Sequence, residues 1–258
     1  MISTPAAGDG VDKACDLCGA PLSAEDAAAF ADAFLLHVRA DHADLPFPDD
    51  AVRNYGEGLA RMTGSTERLD EIGVVEVHPV TEDRMDDWLQ LFDFEVMAGS
   101  PQNSGCYCLE PHEVSPDAPP PPFGHWTTRR AAMIERLRAG TTFGYLAYVD
   151  GHPAGWLNAS RRGDYAMFRC GDPDDDRTIG LACFAVAPPY RRHGVAAALL
   201  AQAVTDASDR GATAVEAYPL HEAGPLYSGF RGGRPMFDAA GFTEVTVRAR
   251  DAVVRREV

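Results

Sequence analysis

Residues 179–200 read "IGLACFAVAPPYRRHGVAAALL". The first eight are apolar or small and fit a buried strand. Pro188 and Pro189 turn the chain, and Gly194 opens an alanine- and leucine-rich helix. The first amides of a helix have no intrahelical partner and carry the positive end of its dipole. Here Arg191, Arg192 and His193 add side-chain charge to that end, where basic residues oppose the dipole. Gly194 and Ala196, either side of Val195, let the backbone approach an anion closely. The pattern predicts a phosphate or pyrophosphate cradle.

The surrounding chain predicts a mixed α/β sheet with helices on its faces. Upstream, "TFGYLAYV" and "HPAGWLNAS" flank Asp150-Gly151, a dipeptide suited to a two-residue hairpin turn. Earlier still, residues 73–80 alternate like a strand, Thr81 is placed to cap a helix through residues 82–94, and residues 125–140 read as another helix. Residues 97–124, with their proline run, predict a long surface loop. Downstream, residues 194–209 predict a helix, 213–220 a strand, 235–241 a short helix and 242–250 a strand. Residues 171–178 form an acidic loop.

Composition narrows the function classes. The 258 residues hold 39 Asp and Glu against 23 Lys and Arg, a net charge of −16. Residues 1–70 carry 13 acidic and 5 basic groups, hence −8, and the remainder carries the other −8. A protein that binds nucleic acid through its phosphates needs a basic face, which this charge disfavours. No apolar run is long enough for a membrane span and no signal peptide is evident, so a cytoplasmic protein is expected. In that setting the six cysteines are read as metal ligands or buried thiols rather than disulfides.

The run Arg191-Arg192-His193-Gly194-Val195-Ala196, with "FAVAPPYR" before it and "FDAAGF" after, resembles the GNAT superfamily of N-acetyltransferases across residues 73–249. The resemblance implies a mostly antiparallel mixed sheet flanked by helices, and acyl-CoA as donor. It implies that amides of the loop Arg191–Ala196 hold the coenzyme A pyrophosphate. It also implies that the strand Cys183–Val186 splays from Thr213–Tyr218 to admit the pantetheine arm, with Phe184, Ala185 and Val186 bonding it and stabilising the thioester oxyanion. Members usually transfer the acyl group directly to an amine, with positioning doing much of the work. The tyrosine that often protonates the leaving thiolate falls here on Phe237, which has no proton to give. Tyr227 and Ser228 are substitutes, and Glu216, then His221 and Tyr218, are candidate bases. Trp126, Trp156 and Phe184 are expected in the core; Cys106 and Cys108, which with His112 resemble metal spacing, are read as buried or pocket-lining thiols rather than ligands.

Residues 1–70 predict a separate small unit. Cys15-x2-Cys18 precedes a helix, with Ser23 as its cap, that carries His37 and His42 near its end; a weaker helix follows over 49–63. Two thiolates on a turn and two imidazoles on a helix can close a tetrahedron around zinc, resembling a C2H2 zinc finger. Such a segment lacks a large core, and a metal would supply folding energy. Its −8 charge argues against reading DNA and favours docking to a protein partner, to the transferase domain (residues 71–258) or to the acceptor. The expected activity is acetyl or acyl transfer from acyl-CoA to a small amine. An aminoacyl-tRNA donor and a non-catalytic coenzyme A sensor are the alternatives.

Overall fold

The computed structural model describes residues 10–115, 125–168, 177–222 and 230–258. In the N-terminal unit a two-stranded hairpin, β1 (Val11–Ala14) and β2 (Pro21–Ala24), precedes helices α1 (Ala27–Asp41) and α2 (Asp49–Arg61). The hairpin differs from expectation: Ser23 lies in β2, and Asp26 caps α1 by accepting from the Ala29 amide at 2.8 Å. An aspartate one turn earlier than the apolar run serves as well as serine, so the cap moved by three residues. Phe30, Phe34, Leu35 and Val38 from α1 bury against Val52 and Ala60 of α2 and against Cys15.

The second unit begins with β3 (Val75–Pro79). The helix expected over 82–94 is broken: a 3-10 turn (Glu82–Arg84), α3 (Met85–Gln90) and a π turn (Leu91–Glu95) follow one another. Thr81 does not cap this helix; its hydroxyl bonds the Asp83 carboxylate. Two short helical pieces, Pro101–Asn103 and α4 (Glu110–Glu113), occupy the stretch expected as a surface loop, and Tyr107, Cys108 and Leu109 within it are buried. Helix α5 (Trp126–Ala139) leads to β4 (Phe143–Val149) and β5 (His152–Arg161). Asp150 and Gly151 turn that hairpin with φ of 51° and 80°, as their sequence predicted.

Strand β6 (Thr178–Val186), α6 (Val195–Thr205), β7 (Ala214–Ala217), α7 (Arg234–Ala239), β8 (Thr243–Val247) and β9 (Ala252–Glu257) complete the unit. Among the described residues the sheet has seven strands in the order β3-β4-β5-β6-β7-β9-β8, and β6·β7 is its parallel pair. Strand β9 was not read from the sequence: three apolar residues lead into three charged ones, without the alternation of a half-buried strand. Helices α6 and α7 cover one face, burying Leu157, Leu181, Phe184, Leu199, Phe237 and Val254. On the other face α3 and α5 bury Trp88, Phe92, Met133, Leu146 and Trp156.

The two units touch directly. Gly58 of α2 passes so close to residues 101–104 that a Cβ would lie 2.6 Å from the Pro101 carbonyl oxygen. Arg61 stacks 3.9 Å from the Trp126 ring centroid, and the Trp126 indole donates to Glu57 at 2.7 Å. No helix among the described residues is long and apolar enough to cross a membrane.

Candidate active site and metal cluster

Strands β6 and β7 pair over four rungs, from Thr178↔Ala214 to Leu181↔Ala217. Strand β7 stops there while β6 runs on through Ala182 to Val186, bonded to β5 alone as its strand neighbour. The gap predicted between these strands is present. Successive amides along a strand alternate between edges. Phe184 N–H points into the gap, where it donates to the Phe230 carbonyl, and Val186 N–H shares that edge. Phe184 itself is buried, edge-on to Phe237 at 5.9 Å.

The basic loop follows at the same end of β6. Arg192 and Gly194 both adopt left-handed backbone, with φ of 69° and 83°. That geometry turns the chain sharply into α6, whose N-cap is Gly194 and has no side-chain cap. The first helical bond runs from Ala198 N–H to the Gly194 carbonyl, leaving earlier amides to an outside acceptor. Of the basic side chains, Arg192 is exposed. Arg191 folds back instead, donating from Nε to the Val186 carbonyl at 2.9 Å, and partial burial lowers its pKa. His193 Nε2 pairs with the Leu69 carbonyl at 2.8 Å, and the Leu69 amide donates to the Pro189 carbonyl. The segment joining the two units thus lies against the loop, which its linker-like sequence gave no reason to expect. Val195 is buried and Ala196 half-buried on the helix.

The candidate acid and base residues fare unequally. Glu216 is buried and paired with Arg255 at 3.1 Å and Arg162 at 3.7 Å. In that arrangement its carboxylate is committed to two guanidinium groups and is not offered to an acceptor amine. Tyr218 directly follows Ala217, the last β7 partner of β6, so its backbone stands where the two strands part. Its ring stacks on Phe168 at 4.0 Å, and its hydroxyl lies 3.5 Å from Glu216 and beside Gly180. His221 is exposed and pairs with the Arg248 carbonyl. Tyr227, Ser228 and Cys170 lie outside the described residues. Phe237 is fully buried, as expected of a core ring. Trp156 is buried too, whereas Trp126 is only half-buried and faces α2.

A further group, around His112, lies on the α5 face. His112 stacks on Tyr165 at 4.8 Å and meets Asn158, Thr142 and Arg136. Burial, reinforced by the Arg136 charge, pushes its pKa down to about 4, so it is neutral at pH 7.

In the N-terminal unit, one ligand atom from each of Cys15, Cys18, His37 and His42 lies within 4.8 Å of the others. Cys18 Sγ is 3.3 Å from His37 Nε2, and Cys15 Sγ is 3.8 Å from His42 Nε2. His37 Nδ1 bonds Asp41 at 2.8 Å, a carboxylate–imidazole contact that leaves Nε2 facing the sulfurs. Two sulfurs and two nitrogens form a donor set suited to tetrahedral zinc.

Comparison with known proteins follows this geometry. Residues 107–230 match the family model described as acetyltransferase (GNAT) family. The matched stretch runs from just before α4 through β7 and includes the loop between β6 and α6. Solved structures similar to the chain include the PaiA N-acetyltransferase of Thermoplasma acidophilum in complex with coenzyme A, at 11% identity, covering 72% of this chain and 99% of that one, TM-score 0.45. RimJ of Mycobacterium smegmatis in complex with CoA-disulfide is 18% identical over 72% of this chain and 83% of that one, TM-score 0.45. The ribosomal-protein-alanine N-acetyltransferase of Brucella melitensis is 16% identical over 71% and 99%, TM-score 0.44. No curated protein sequence matches the chain.

Proposed function

We propose that the protein transfers an acetyl group from acetyl-CoA directly to the amine of a small molecule. The observation that carries this reading is the gap beside β6, which opens at the end where the amides of α6 point. The amides of Gly194, Val195 and Ala196, with Arg192 above them, hold the donor's pyrophosphate. The donor's arm lies along β6, where Phe184 and Val186 present N–H groups, and the Phe230 carbonyl yields the Phe184 amide to it. Arg191 and His193 support the loop through the Val186 and Leu69 carbonyls rather than touching the anion.

Tyr218 is assigned the acid role left open by Phe237. Its backbone follows the last rung, Leu181↔Ala217, and its hydroxyl lies beside Gly180 with Glu216 within reach. The acceptor amine loses its proton to water, and the net charge of −16 favours a cationic acceptor. Four ligands in one cluster support zinc as a structural metal in the N-terminal unit, where it would hold the hairpin to α1 and take no part in transfer. The unit's contacts with Trp126 and the Leu69 segment favour docking to the transferase unit over a nucleic-acid role.

The test is thiol release from acetyl-CoA across a panel of small amines, with Tyr218→Phe beside the wild type. Amine-dependent release is expected, with kcat lowered about 10²-fold in the variant while coenzyme A binding is retained. Tight coenzyme A binding without release for any amine would overturn the enzymatic reading.

A further inference from the structure

Cys108 and Cys183 are 75 positions apart in sequence, yet their sulfurs lie 2.8 Å from each other inside the transferase unit. That is closer than two non-bonded sulfurs normally rest. Both side chains are buried, Cys108 at 1% exposure and Cys183 at 8%. The backbone brings them together deliberately: Tyr107 and Cys108 both occupy the left-handed region, with φ of 47° and 53°, which costs strain for residues other than glycine. Asn158 fastens the arrangement from both sides. It is the register partner of Cys183 across β5·β6, and its side-chain amide donates to the Cys108 carbonyl at 3.0 Å. Nearby, the indole N–H of the fully buried Trp156 faces the Cys108 sulfur. Among the described residues the cluster able to hold a metal is the N-terminal one, so a metal does not account for this pair.

We propose that Cys108 and Cys183 form a redox-active dithiol on the central strand, closed to a disulfide by hydroperoxides and reopened by low-molecular-weight thiols. Cys183 is the first to react. It is the more exposed of the two, at 8% against 1%, so a small oxidant meets this sulfur first. Its thiolate attacks the peroxide, the O–O bond breaks, and a sulfenic acid forms with loss of water. The Cys108 sulfur then attacks that sulfur and displaces a second water, forming the S–S bond. Two S–H bonds and one O–O bond are lost, and both electrons go to the peroxide oxygens. Burial raises the Cys108 thiol's pKa well above the usual value, which suits the protonated, resolving partner. Reduction by a thiol reverses the closure through exchange.

Peptide mapping of the full-length protein under non-reducing conditions, with hydrogen peroxide as the probe, tests this. A cross-linked peptide pair containing Cys108 and Cys183 is expected after oxidation, and it disappears with dithiothreitol. Cys106→Ala should form the same link to the same extent, and Cys183→Ala should form none. The wild-type map decides the matter even if a variant folds poorly. Peroxide that leaves both thiols free to alkylate after unfolding would overturn the proposal, as would links that join Cys106 to either residue instead.

Discussion

The N-terminal unit and the sheet unit face opposite folding problems. In the first, two helices and a hairpin of two four-residue strands bury Phe30, Phe34, Leu35 and Val38 against little more than α2. In the second, a seven-stranded sheet is covered on both faces, and Trp88, Trp156, Tyr145 and Phe237 are fully buried. Small domains bury less of their apolar surface, so the first unit is expected to lean on a metal in its ligand cluster while the second stands on packing. All three tryptophans (Trp88, Trp126 and Trp156) belong to the second unit; Trp88 and Trp156 are buried within it and report its unfolding, while Trp126 also touches α2.

Metal removal should separate the units most sharply. Zinc in such a set is worth about 10 kcal/mol in small peptides. The purified protein should carry about one zinc per chain. Chelation, or Cys15→Ser, should abolish protease protection of residues 10–61 while the cooperative tryptophan transition persists. Helices that stay protected without metal would break the contrast. Acid should strike the other unit. His112 has a folded pKa of about 4 against an ordinary 6.5, so between those values the unfolded chain binds the extra proton. The stability is therefore complete above pH 6.5 and is lost as pH falls toward 4, by on the order of 3 kcal/mol. Urea titrations followed by tryptophan fluorescence should show this slope, and His112→Gln should flatten it. The smallest effect belongs to the cap: Asp26→Ala should cost about 1 kcal/mol in the zinc-loaded N-terminal unit and leave the tryptophan transition unmoved.

How far the sequence could be read depended on whether its signals were local. The Asp150-Gly151 turn, the loop at Arg191–Ala196 and the spacing Cys15, Cys18, His37, His42 each state their chemistry within a short stretch, and the fold keeps them. Strand β9 hid because Arg255 and Arg256 find partners, Glu216 and the Ala240 carbonyl, that are distant in sequence. The same distance concealed why Glu216 is occupied and why Leu69 lies against His193. The stretch at 97–124 looked like loop because its burial rests on Tyr107 and Cys108 in left-handed backbone, which no composition rule assigns to them.

The four rungs between β6 and β7 have a consequence beyond admitting a ligand. They are the narrow seam along which β3–β6 and the trio β7, β9, β8 are stitched into one sheet. A donor arm lying in the gap would act as a missing stretch of backbone, extending the ladder where the polypeptide leaves off. Binding would then finish the protein's own architecture, and amides near Phe184 and Val186 would exchange hydrogen more slowly once it did.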